Sequence, residues 1–541
     1  MRRIYIVTLM LVLLAGFALA RHRDILYMTD GSEHTGELVR ITEDEVIFTT
    51  EEGEVTFPSD SVRSIDLGQW RPGDDWDDRG DIDDPVLSAA LEKADRVSRE
   101  YTSAGSIALL AKGVVTINGD LSATYERRYI HYIANERGKN RANWGDYYYD
   151  DTQRIEVDFA RSVGLSRISS VADNAIESGS VNPYLAEYQR RRRKKFALTG
   201  ASLGSVVDYK TTKYYDRLDV FSGLDISWDF YDTEPIVESV FEIRYHEDLD
   251  IETNETEMGG PDKSKDGDFR VLTYRMTDIE PYIEESMLPN LDWVLPNVRL
   301  TIPQDMAKLS SAYAEKVAEV MDAEEDIDGI LSSQIPGEPT VESIYNYVAE
   351  NYAHNGVSFL DFYPYPTKKI SELLGASRMA RYELPILLYA FLDAAGFSPE
   401  LVLVGPAIDT KIPEDMFNID HFDGIRVRVD DGGVTRYLAP NEYLPYDHQH
   451  LHARYILPVK SGDAELEELE RLPGDHHYSV PTYDCVLRAD GSMEVRYSLE
   501  TYGPTGPDWL RYHKNDKPRE LDNFFDHMAK NIDEMANIVS Y

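Results

Sequence analysis

Residues 375–397 read GASRMARYELPILLYAFLDAAGF. Leu384, Leu387, Leu388, Phe391, Ala394 and Ala395 fall at i, i+3, i+4, i+7, i+10 and i+11, which predicts one apolar stripe on a helix. Gly396 stops that helix. Such a helix asks for a partner surface on its apolar side. The apolar run LVLVG at 401–405 and the alternating GIRVRV at 424–429 supply strands to form it. Residues 339–354, PTVESIYNYVAENYAH, add a second helix, with Ile344, Tyr347, Val348 and Tyr352 on its inner face.

The rest of the chain sets bounds on this core. At 541 residues it is too long for one hydrophobic core, so several domains are expected. A hydrophobic content of 42% and 36 tyrosines argue for folded material. The chain carries 98 acidic and 55 basic side chains, a formal charge of −43, which repels polyanions and argues against nucleic acid as a partner. The start, MRRIYIVTLMLVLLAGFALA, has a basic Arg2-Arg3, an apolar Ile4 to Phe17 and a small-residue Ala18-Leu19-Ala20. This is the pattern of a secretory signal peptide over 1–20, cut before Arg21, and it predicts an exported protein, periplasmic or extracellular. An uncleaved anchor is the alternative, but the apolar run is short for a span. No cysteine follows the cleavage site to take a lipid, and no integral span is expected after cleavage. Cys485 is the single cysteine, so no intrachain disulfide can form.

Five pieces follow. Residues 21–70 alternate through about five short β-rich runs, with turns at Asp30-Gly31 and Glu52-Gly53, and resemble a small SH3-like or Sm-like barrel. Residues 71–100 are an acidic linker and a helix. RPGDDWDDRGDIDD at 71–84 carries seven aspartates, but Arg79 and Val86 stand where a calcium loop needs an oxygen ligand and a glutamate. Leu87, Leu91, Ala94 and Val97 then share one helical side. Residues 101–300 alternate as strands with recurrent turns and predict a β-sandwich. Within them RRRRKK at 190–195 is the one basic block, either a grip on an anionic partner or a local neutraliser of the acidic surface. Residues 305–460 form the helix-and-strand core, and 465–541 are expected to be a shortened C-terminal β domain. The fold class is thus α+β and multidomain.

Two resemblances give these pieces a class. Asn118-Gly119 followed by a strand with Tyr125 and Tyr129, together with FALTGASLGSVVDY at 196–209, is similar to the β domain of unknown function that precedes transglutaminase-like cores in secreted bacterial proteins. The order of 339–354, Ser371 to Leu374, Leu384 to Phe397, 401–405, FNIDHFDGIRVRV at 417–429 and RYLAPNEY at 436–443 resembles the transglutaminase-like, papain-like core itself. That resemblance implies a cysteine fifteen residues before the helix-ending glycine, a histidine opening the next strand and an aspartate ending the one after. Counted on this chain, those positions hold Arg381, His421 and Ala439. Acyl transfer needs a nucleophile, a base and a group that orients the base. An arginine stays protonated and cannot attack, and an alanine cannot hold an imidazole.

The remaining candidates are weaker. Ser377, one helical turn before Arg381, would be a nucleophile without an orienting acid. Cys485 reads as a buried structural thiol on a strand. His448, His450 and His452 alternate as metal ligands can, yet fall where a strand leaves the core, so no metal and no cofactor is expected. Arg381 at a helix start suits a bound carboxylate or another anion. The resemblance with its lost positions therefore implies a non-catalytic binding protein, with Arg381 and His421 at the binding cleft. Its partner would be a peptide, a protein or an envelope polymer. The alternatives are an active transglutaminase-like or cysteine-protease-like hydrolase, and a structural component of a surface assembly.

Overall fold

The computed structural model describes residues 24–540, apart from 43–44, 51–52, 67–83, 165–167, 286–287, 362–363, 408–412, 441–444, 449–452, 471–477, 503–516 and 533–535. Residues 1–23, where a signal peptide is expected, and the aspartate-rich stretch before Asp84 lie outside the described residues, as do His450 and His452. Among the described residues, no helix is long and apolar enough to cross a membrane.

Residues 24–66 form an antiparallel five-stranded sheet whose fifth strand, Val62–Asp66, returns to pair with the first, Asp24–Met28. Its small core is Leu26, Met28, Val46 and Phe48.

An eight-stranded sheet dominates the region that follows. In spatial order it runs Ile168–Ser170, Gln153–Val163, Val206–Tyr215, Ala123–Ile133, Ser106–Ile117, Ile236–His246, Phe269–Ile279 and Asp262–Asp266. Every pairing is antiparallel except that of Ser106–Ile117 with Ile236–His246. The companions are two three-stranded sheets, one built on Asn143–Tyr149 and Arg191–Ala197, the other on Asp225–Asp229 and Asn297–Thr301. This is one long sheet with two short covers rather than two matched sheets.

Against one face of the long sheet lies the helix Pro85–Glu100, with Leu87, Leu91, Ala94 and Val97 buried on Ile107, Ile130, Val206 and their neighbours. Each fully buried Leu or Val there contributes on the order of 1.5–3 kcal/mol. Asp84 fixes the start of the helix twice over. One oxygen accepts the Val86 and Leu87 amides, both at 3.1 Å. The other meets Arg128 at 2.7 Å and Arg161 at 2.5 Å. Both arginines also grip the fully buried Asp208 of the sheet, so the helix is tied to the sheet by paired charges.

The core of 305–460 contains the quoted stretch as the helix Glu383–Ala394. Its burial is not a stripe. Every residue from Glu383 to Leu392 except Tyr389 is buried, while Ala394 and Ala395 are only partly so. A helix apolar all round belongs inside a protein. The helices Glu324–Gln334, Val341–Asn351 and Ile370–Leu374 pack on it from outside, and the strands Glu400–Ala407 and Gly424–Asp431 on the sheet side. On Val341–Asn351 the buried face is Val341, Ile344, Tyr345 and Val348, with Tyr352 just beyond its end. Tyr347 only packs at the margin, beside Phe391. The core sheet runs Val434–Leu438, Gly424–Asp431, Glu400–Ala407, Ala453–Pro458 and Glu467–Glu468, antiparallel throughout. Beyond it the described residues hold a hairpin, Tyr478–Leu487 with Met493–Tyr502, and a helix, Pro518–Ile532.

Candidate functional site

The helix Glu383–Ala394 starts at a buried carboxylate. Glu383 is 2% exposed, and its Oε2 accepts the Ala380 amide at 2.6 Å and the Tyr188 hydroxyl at 2.8 Å. Burial pushes its carboxyl up from the ordinary value, against the opposing pull of the Ala380 amide and Lys368. Tyr188 comes from the β region and is itself fully buried. Lys368 donates to the Tyr188 hydroxyl at 2.5 Å and lies 4.2 Å from the centre of its ring. The β region therefore caps the end of the helix where the resemblance requires an open nucleophile.

Arg381 stands at that capped end. Its backbone amide donates to Val357 O at 2.9 Å. Its Nε is buried without a hydrogen-bond partner, and its guanidinium makes no ion pair among the described residues. In a chain with 98 acidic residues, an arginine without a carboxylate is an open valence for an anion. Ala439, 1% exposed, is packed just past the end of Val434–Leu438.

His421 is at the end of a short 3-10 turn, Ile419–His421, rather than on the strand that follows. Its Nδ1 accepts the Asn418 amide at 3.0 Å, so the ring proton sits on Nε2. Nε2 lies 3.3 Å from Asp225 Oδ1, too far off axis for a formed hydrogen bond, so the contact is electrostatic. Asp225 is held by others as well. Arg299 grips both its oxygens, at 2.7 and 2.5 Å, and Thr301 donates at 2.8 Å. Burial alone would raise the Asp225 carboxyl, but His421 and Arg299 outweigh it and hold it well below the usual carboxylate range.

The whole turn is a joint between the β region and the core. The buried Asn418 donates to Leu224 O at 3.0 Å. Gln304 accepts the Ile419 amide at 2.9 Å and donates to Asp219 O at 2.5 Å. Gly223 has no room for a side chain, because a Cβ there would come within 2.9 Å of Asn418 and Asp420. On the core side, a Cβ on Gly405 would lie 2.3 Å from His421 O. Asp420 borders a small pocket with Tyr149, Arg190 and Phe359, crowded by protein but open on that side. Burial, and then Asp225, push its carboxyl up to about 6.

The other sequence candidates are placed as follows. Ser377 is exposed, and its hydroxyl has no partner among the described residues. Cys485 is exposed, not buried as the strand pattern suggested, because the described residues place no second layer over its hairpin. Among the described residues no group of histidine, cysteine and carboxylates is arranged to hold a metal. The basic block neutralises local acids: Arg190 pairs with Asp151, Arg191 with Asp361 and Lys195 with Glu177. Sequence reasoning missed Asp225, Glu383's role and Tyr188. Each acts through a partner far away in the chain, which no local sequence pattern reveals.

This is a mixed α+β architecture in which a strand-rich region caps a helix-and-sheet core, and it is similar to a solved structure of a candidate protease. That protein, from Parabacteroides distasonis, aligns over 68% of this chain and 72% of its own at 16% identity, with a TM-score of 0.55. At that identity the likeness establishes fold alone. A candidate cysteine protease from Cytophaga hutchinsonii aligns over 51% of this chain and 88% of its own at 9% identity, but its TM-score of 0.19 carries no argument. Residues 119–283 match the family described as a domain of unknown function with solved structure (DUF3857). No curated protein matches the sequence.

Proposed function

We propose that the chain is an exported, non-catalytic protein of transglutaminase-like, papain-like build that acts by binding a peptide, a protein or an envelope polymer. The observation that carries this is the state of His421. One ring nitrogen is occupied by the Asn418 amide and the other faces a saturated Asp225 in the β region. A base so placed has no nitrogen free to take a nucleophile's proton. The nucleophile position holds Arg381, and the orienting position holds a packed Ala439. Arg381, whose guanidinium makes no ion pair among the described residues, is the residue of the core best suited to contact an anionic group of the partner.

An active hydrolase is the second reading, favoured by the protease-like fold and by the His421–Asp225 contact, a base beside an acid. It lacks a nucleophile, since the exposed Ser377 hydroxyl meets no base. Peptide cleavage and amine crosslinking by the purified full chain separate the readings. The binding reading expects neither, with or without added thiol. Turnover that His421→Ala abolishes would establish the second.

A further inference from the structure

The long sheet keeps a cavity of about 540 Å³ on the face opposite the helix Pro85–Glu100, under the strands Asn143–Tyr149 and Asp225–Asp229. That is within the roughly 300–1,000 Å³ of small-molecule sites. Its floor follows from strand alternation. On Ala123–Ile133 the residues Tyr125, Arg127, Tyr129 and His131 all point one way, and on Val206–Tyr215 so do Tyr209, Lys213 and Tyr215. The next strand places Ala111 opposite Tyr129 and Ala108 opposite His131, and these small side chains leave the space open.

The groups facing this space fall into two sets. Most of the charged ones are already bonded, Asp229 having only the Ser227 hydroxyl, at 3.3 Å. Arg127 meets Asp146, Arg141 binds both oxygens of Asp232 at 2.7 Å, and Lys213 donates to Tyr147 O at 3.1 Å. The neutral ones are not. Tyr125, Tyr209 and Tyr215 are 9%, 7% and 8% exposed, yet their hydroxyls, and that of Tyr129, have no hydrogen-bond partner among the described residues. His131 is 4% exposed, and its buried Nδ1 has no partner either. Burial, with the Arg141 charge nearby, keeps that imidazole neutral, at about 3. The buried His131 nitrogen left unpaired is costly, and the four tyrosine hydroxyls beside it open onto the cavity without a protein partner, so together they leave donors and acceptors for something that enters it. Trp144 and Trp228 add aromatic walls.

We propose that this cavity binds a neutral, hydroxyl-rich ring compound, a carbohydrate unit, through the Tyr125, Tyr129, Tyr209, Tyr215 and His131 groups, with its C–H faces against the aromatic walls. Hydroxyls and a neutral imidazole both give and accept hydrogen bonds, as sugar hydroxyls do. Charges of both signs line the space and most are tied to one another, so the groups left free to face a ligand are chiefly neutral. The proposal deepens the reading of the chain as a binding protein, but it does not depend on the chemistry of the core, so sugar binding and amide turnover can fail separately.

The test is calorimetric titration of the full chain with cellobiose, maltose and N,N′-diacetylchitobiose, with trialanine as the peptide control. At least one sugar is expected to bind one to one, with a Kd below about 1 mM and a change in tryptophan emission. Tyr125→Phe with Tyr209→Phe should weaken that binding about tenfold or more without lowering the melting temperature. Should the double variant misfold, Tyr125→Phe alone carries the test. Silence from all three sugars, binding of trialanine in their place, or sugar binding untouched by the hydroxyl deletions would overturn the proposal.

Discussion

On the proposed non-catalytic reading, His421 keeps its place and loses its task. A histidine at this position was legible in the sequence. Its partner was not, because Asp225 is brought to it by the joint between two regions and by nothing local. The ring now fastens that joint. His421→Ala removes the acceptor of a buried amide and a neighbour of a buried carboxylate, and should cost about 1–3 kcal/mol, read as a lowered denaturant midpoint with no change in any hydrolytic background. For the same reason Arg381→Cys combined with Ala439→Asp should yield no turnover, since the imidazole is turned to Asn418 and Asp225; peptide cleavage by that double variant is the check. Asp420 gives a prediction with a sign. Its carboxyl, pushed up to about 6 in the fold, titrates near 3.9 in an unfolded chain. The folded state therefore binds the extra proton between those values, and the penalty of ionising Asp420 grows as pH rises through that window. Asp420→Asn should raise the melting temperature at pH 7 and gain much less at pH 4, which a pair of thermal scans would show.

At the scale of elements, the helix Glu383–Ala394 was legible because burial leaves a periodic trace, and Leu384, Leu388 and Phe391 are where the period put them. The trace understated its burial, since Ile386 and Leu392 are covered by helices that a helical period alone does not reveal. On Val341–Asn351 the period misplaced one tyrosine: Tyr345 faces the core and Tyr347 only borders it. The cavity wall was illegible for a different reason. Tyr125, Arg127, Tyr129 and His131 alternate with Glu126 and Arg128, so neither face of the strand reads as apolar. The strand Glu400–Ala407 depends on one glycine. Gly405 has φ +149°, outside what side-chain-bearing residues favour, and lies against the backbone of His421. Gly405→Ala should cost at least about 2 kcal/mol through that overlap and loosen the turn below it; faster amide exchange at Ile419 to Phe422 would report both.

For the whole molecule, the structure joins a DUF3857-matching β region to the helix-and-sheet core through the His421 turn, and caps the central helix with Tyr188. The proposed non-catalytic reading holds that no acyl-enzyme forms in this core. The most direct measurement is intact mass of the full chain after incubation with an activated peptide ester. It is best made in a Cys485→Ser background, because Cys485 is exposed and would react on its own. The account predicts an unchanged mass at every time point. A single acyl adduct on a residue of 305–460, absent when His421 is also replaced by alanine, would contradict it.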